Sequence, residues 1–224
     1  VLLQEKAMSN GKEISPHEKC FRLLAKIGMM VADGVRTPEH VSVYLQKILM
    51  ETKSKTSVFE HVGTVVVPAT TSRFVARDKF VVDTKPTAKV KISGIGGNFT
   101  SWFLSGEGKI EDPIAEQTLL CYRLYMASWD DLIIKELGGE EKVETTLFEM
   151  FSLMEKQGSC ERDNLLTNGC WHIFYVKDQS DALRAVSVRW CDNGWYVDAG
   201  PAPISYGWRG GYRVFSRQPV LVAA

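Results

Sequence analysis

The spacing of apolar positions changes several times along the chain and divides it into blocks. Ser15-Pro16-His17-Glu18 places a capping serine three residues before a glutamate, with proline at the first helical position. Phe21, Leu24, Ile27 and Val31 follow at helical spacing until Asp33-Gly34. Thr37-Pro38 opens a second helix with Val41, Tyr44, Leu45, Ile48 and Leu49 on one face. The pattern predicts a helical hairpin over 15–51. A pair that short cannot bury both faces alone, so it is expected to dock on the rest of the chain or on another subunit. The polar stretch 52–58 reads as a linker.

Strand patterns begin at Thr64–Val67, continue over Phe74–Val82, and alternate with period two over Lys89–Ser93. Asp112-Pro113 predicts the start of a helix running to about Leu137 and ending at Gly138-Gly139. A second helix carries Val143, Leu147, Met150, Phe151 and Met154 on one stripe, which reads as core. Beyond Gly169 the pattern returns to strands. Cys170–Val176 is apolar, Lys177–Asp181 is a polar turn, and Leu183–Trp190 is a second strand. Asn193-Gly194 predicts a hairpin into Trp195–Ala199, and Tyr212–Arg217 is the last strand. Strands, two helices, then an antiparallel meander predict an α+β fold. The division expected is a helical segment, 1–58, and a larger domain, 59–224.

The segment Val188–Arg217 stands out. Trp190, Trp195, Trp208 and Phe215 form an apolar frame, and between them sit Cys191, Tyr196, Asp198, Gly200, Ile204, Tyr206, Arg209 and Tyr212, which share no chemistry. Alternation sends Trp195, Val197 and Ala199 to one side of their strand and Tyr196, Asp198 and Gly200 to the other. The first set anchors; the second is free to vary. Tyrosine and arginine are favoured in recognition surfaces because they offer large contacts for modest ordering entropy. An ordinary solvent face of a sheet with a few aromatics fits the same pattern.

Composition adds mainly exclusions. With 224 residues the chain is long enough for a sizeable core, and 27 basic against 27 acidic side chains give no reason to expect a polyanion or membrane-surface partner. No apolar run is long enough to span a bilayer, and residues 1–6 lack the features of a signal peptide. Five scattered cysteines without a C-x-x-C pair argue against a zinc site and a disulfide scaffold. His17, His40, His61 and His172 stand apart from any ligand partner, and His172, between Trp171 and Ile173, reads as a satisfied, partly buried side chain. Gly94-Ile95-Gly96-Gly97 resembles a phosphate cradle only loosely. Without a P-loop lysine or a helix start directly after it, a turn is expected. Asp130-Asp131 and Glu140-Glu141 read as helix-end or solvent-facing charge. Trp190-Cys191-Asp192-Asn193 echoes the Trp-Asn-Asp element of calcium-dependent lectins, but its partner motif is missing and calcium needs several oxygen ligands. No metal, cofactor or catalytic residue is expected.

The spacing Gly194-Trp195-x-Val197-x-Ala199, then Gly207-Trp208-x-Gly210-Gly211-x-Arg213-Val214-Phe215-Ser216-Arg217, resembles the variable region of proteins diversified by retroelements. The resemblance implies a C-terminal C-type lectin fold, a variable region over about 188–217, and the eight assorted residues above as ligand contacts. In that family adenine-directed errors turn asparagine codons into NNC codons, and all eight residue types are ones NNC can encode. Cys191 and the stiff Pro201-Ala202-Pro203 depart from the expected pattern. A non-enzymatic binder of a protein or other macromolecule follows, with a virion or cell surface as the location such display implies. The N-terminal helices remain open to oligomerisation. Two rivals stand beside it: an oxidase on the same fold using Cys170 and Cys191, and a nucleic-acid adaptor in which the second helix offers His40, Gln46 and Lys47. Packing outweighs the second rival.

Overall fold

A computed structural model describes residues 57–157, 165–202 and 207–217, together with the isolated positions 25, 26, 29, 32 and 37. The chain divides into two units, Val1–Ser54 and Lys55–Ala224. In the first, Ala25, Lys26, Met29 and Ala32 are helical and exposed, and Thr37 is exposed; the other residues of the expected hairpin lie outside the described residues.

The second unit is mixed α+β and mostly sheet. Its strands are β1 (Phe59–Val67), β2 (Phe74–Val75), β3 (Ile92–Ile95), β4 (Ile110–Glu111), β5 (Gln117–Leu124), β6 (Glu144–Thr145), β7 (His172–Lys177), β8 (Leu183–Cys191), β9 (Gly194–Pro201) and β10 (Arg213–Arg217). Its helices are α1 (Ala76–Lys79), α2 (Gly97–Phe99, continuing as a π-turn over Thr100–Leu104), α3 (Asp130–Glu136), α4 (Glu140–Val143) and α5 (Leu147–Lys156). The main sheet runs β1-β5-β10-β7-β8-β9-β3, with β6 extending the β7 edge beyond β10. β10 lies between β5 and β7, antiparallel to the first and parallel to the second.

Both faces of this sheet bury apolar side chains. One meets α1, α2 and α5 through Phe99, Leu147, Met150, Phe174, Val186, Val188, Trp195, Val197 and Phe215. The other meets α3 and α4 through Ile133, Ile134, Val143, Ile173, Tyr175, Leu183, Ala185 and Val214. A capping box between Thr146 and Glu149 starts α5, and the Glu111 carboxylate of β4 accepts from the backbone N–H groups of Leu147 and Phe148, both at 2.8 Å. Arg217 Nε donates to Glu149 Oε1 at 2.8 Å, tying the same helix start to β10.

Three sequence expectations require correction. The helix expected over 112–137 is a strand followed by a short helix. Leu119, Cys121 and Leu124 are buried on β5, which sits between two partner strands, while Asp112 pairs with Arg73 instead of capping. The glycine stop at 138–139 holds, with φ of 98° and 100°. The strand expected over 74–82 gives way to α1, because Ala76 and Phe80 meet the core at a helical interval. A helix does start directly after Gly94-Ile95-Gly96, so those residues join a strand to a helix.

Candidate functional site

The β8–β9 hairpin sets the geometry of the C-terminal surface. Its two-residue loop is Asp192-Asn193, with Asp192 at φ 46°, and Gly194 already pairs with Cys191 as the first residue of β9. The expected Asn193-Gly194 turn is therefore displaced by one residue. Gly194 is required for another reason: a Cβ there would meet Ser93 N at 2.9 Å and Lys91 O at 3.0 Å on the β3 side. The hairpin stays closed against that backbone.

Along β9 the alternation is complete. Trp195, Val197 and Ala199 are buried, and Tyr196, Asp198 and Gly200 are half-buried on the opposite face. Trp190 meets Trp195 edge-on at 5.2 Å between centroids, and Phe215 stacks on Phe174 at 4.7 Å. Trp208 exchanges backbone hydrogen bonds with Ser128 at 2.7 and 2.8 Å, which pins the glycine-rich segment before β10. Three of the four frame residues thus hold strands, and the fourth holds the loop.

On the open face of β7–β8–β9, next to α3, lies a cleft of about 460 Å³. Ala185 and Ser187 of β8 line it, as do Asp198 and Gly200 of β9, Asn98, Trp171, and Trp208, Arg209 and Tyr212 of the closing loop. It brings together four of the eight expected contact residues. Tyr196 lies on the same strand face and meets Trp171 edge-on at 6.2 Å; alternation along β8 puts Cys191 on that face too. Ile204 and Tyr206 lie outside the described residues. Tyr212 is less free than expected, since its ring leans on Trp208 at 6.4 Å and on the core under α3.

The sequence reading missed Asp130. It is no solvent-facing charge: it is 2% exposed, reaches the cleft, and accepts at 2.6 Å on Oδ1 from both Tyr175 Oη and Trp208 Nε1. Burial pushes its carboxyl up to about 6, against the opposing pull of those two hydrogen bonds. Gly94 and Gly96 were missed as well. A Cβ on Gly94 would meet Tyr196 Cδ2 at 2.9 Å, and one on Gly96 would meet Asp198 Oδ1 at 2.0 Å. The side chains of β9 occupy the space that the glycines of β3 and of its junction with α2 leave empty. Neither role was marked in the sequence except by the glycine spacing itself.

His172 is fully buried and satisfied. Leu166 N–H donates to Nε2 at 2.7 Å, so the proton resides on Nδ1, which faces Val188 O at 3.2 Å. Burial drives its pKa down to about 3, and the imidazole is neutral at ordinary pH. Cys121, Cys170 and Cys191 are free thiols; burial raises Cys121 to about 12 and holds Cys170 above its ordinary value. Among the described residues no group of three or more His, Cys, Asp or Glu side chains is placed to hold a metal ion, and no helix is long and apolar enough to cross a membrane. No protein-family model, curated protein or solved structure matches the chain.

Proposed function

We propose that the larger unit is a C-type lectin-like ligand-binding domain, non-enzymatic, whose C-terminal face recognises a macromolecular target and is of the kind retroelements diversify. The observation that carries this reading is the division of labour along β9. Every second side chain from Trp195 to Ala199 is sunk in the core, and on the other face Asp198 and Gly200 meet Arg209 and Tyr212 around one cleft. A surface built so can change its contacts with little cost to folding, because the frame supplies the preorganisation. Strands, helices and a closing meander, with β10 inserted beside β5, support the lectin-like assignment. An oxidase using Cys170 is less well supported, since burial raises that thiol where a reactive cysteine needs its thiolate favoured.

The test is a displayed library randomised at 191, 196, 198, 200, 209 and 212 and selected on an immobilised globular protein, streptavidin. Enriched clones are expected to bind, to differ at these positions, and to keep Trp195 and Trp208. Failure to enrich any folded clone contradicts the reading. The encoding locus tests the diversification separately. A nearby repeat of the segment for 188–217, differing only at adenines beside a reverse-transcriptase gene, is expected; its absence removes that part.

A further inference from the structure

β8 carries two stacked arginines, and only one of them is complete. Near its start, the Arg184 guanidinium lies 4.1 Å from the Trp102 ring centroid, and its Nε donates to Asp178 Oδ2 at 2.7 Å. Near its end, the Arg189 guanidinium lies 4.7 Å from the Trp171 centroid and 5.8 Å from that of Tyr196, its cross-strand partner. Here no carboxylate among the described residues pairs with the guanidinium. Among the described residues Arg189 forms no salt bridge, and its Nε is shielded from solvent with no hydrogen-bond partner. Arg217 repeats the rule that Arg189 breaks, with Nε on Glu149.

A shielded guanidinium donor without an acceptor is costly, and more so next to rings that exclude water. The two rings flank the planar group, and its outer edge, the two Nη groups, is the part a ligand can reach because they, unlike Nε, are not shielded. That edge matches a carboxylate in the same plane. Trp171, which this guanidinium stacks on, lines the cleft, and so does Asp198. A polyanion laid across the face would meet the Asp198 carboxylate. A protein ligand carries both signs and can satisfy both.

We infer that Arg189 is a recognition site for a carboxylate, supplied by an acidic side chain of a protein ligand. This rests on the reading that the open face of β8–β9 meets such a ligand. It assigns a fixed scaffold residue, outside the eight variable positions, to the binding of one chemical group.

The experiment is an NMR titration of the ¹⁵N-labelled chain at constant ionic strength, following the Arg189 Nε–Hε and Trp171 indole signals. The probes are sodium acetate, sodium chloride and a short DNA duplex. Acetate is expected to move both signals saturably, while chloride and the duplex leave them in place. In Arg189→Lys, which keeps the charge and loses the fork, the acetate response of Trp171 should weaken at least about fivefold at an unchanged melting temperature. Signals unmoved by acetate, an equal response to chloride, a response to the duplex instead, or undiminished acetate binding in the lysine variant would each overturn the assignment. Should Arg189 stay silent while the displayed library still yields binders, this site fails and the recognition surface stands.

Discussion

Asp130 and His172 are both nearly inaccessible to water, yet they drive stability in opposite directions as pH changes. Asp130, raised from 3.8 to about 6, keeps a proton in the folded chain that the unfolded chain has already released. Its contribution is whole below pH 3.8 and is lost as pH rises through 6. His172, lowered from 6.5 to about 3, refuses a proton that the unfolded chain accepts, so its effect is a loss of stability as pH falls from 6.5 towards 3. Between pH 4 and 6 the two slopes oppose each other. Asp130→Asn isolates the first, because the amide oxygen can still accept from Tyr175 and Trp208. Relative to the native chain, this variant is expected to improve by up to about 3 kcal/mol between pH 4 and pH 7, which urea unfolding at several pH values would measure. A difference that does not vary with pH would mean that the Asp130 carboxyl is not desolvated. This residue was hidden in the sequence for a physical reason. Its partners lie 45 and 78 residues away, and an Asp-Asp pair opening a helix looks the same whether it faces water or a tyrosine.

At the scale of elements, what was legible followed from whether one period explained the apolar positions. β8 and β9 were readable because alternation, two tryptophans and a turn pair agreed. Residues 117–124 were misread because Asp112-Pro113 and Gly138-Gly139 look like the two ends of one helix, and only pairing with β1 and β10 shows the strand between them. The frame over β9 and the loop was visible; the clearance on β3 was not, since a glycine reports nothing about what fills the space beside it. That clearance yields a test. Gly96 precedes α2 at φ −67°, a conformation any residue adopts, so only the Asp198 side chain excludes a Cβ there. Gly96→Ala is expected to destabilise by about 1–3 kcal/mol, and Asp198→Gly in the same chain should recover most of it. Gly194→Ala meets backbone instead, so no side-chain trimming should rescue it. A double-mutant cycle by thermal melting decides; additive effects of Gly96→Ala and Asp198→Gly would show that β3 and β9 do not share that space.

For the whole unit, the proposed binding role requires the residues that hold the sheet together to be distinct from those that would meet a ligand. The proposal puts Tyr196, Asp198 and Arg209 in the second class, and Tyr212 between the two because its ring rests on Trp208 and the core beneath α3. The most direct test is the melting temperature of a triple variant, Tyr196→Ser, Asp198→Ala and Arg209→Ala, beside that of Trp195→Ala. The triple variant should melt within about 5 °C of the native chain, since Arg209 is exposed, Tyr196 and Asp198 are only half-buried, and the lost Tyr196 ring contacts cost about 1 kcal/mol. Trp195, fully buried, should cost about 3–5 kcal/mol and lower the melting temperature by roughly 10 °C or more. If the triple variant instead collapses as far as the tryptophan variant, the face is part of the core and the recognition surface does not exist.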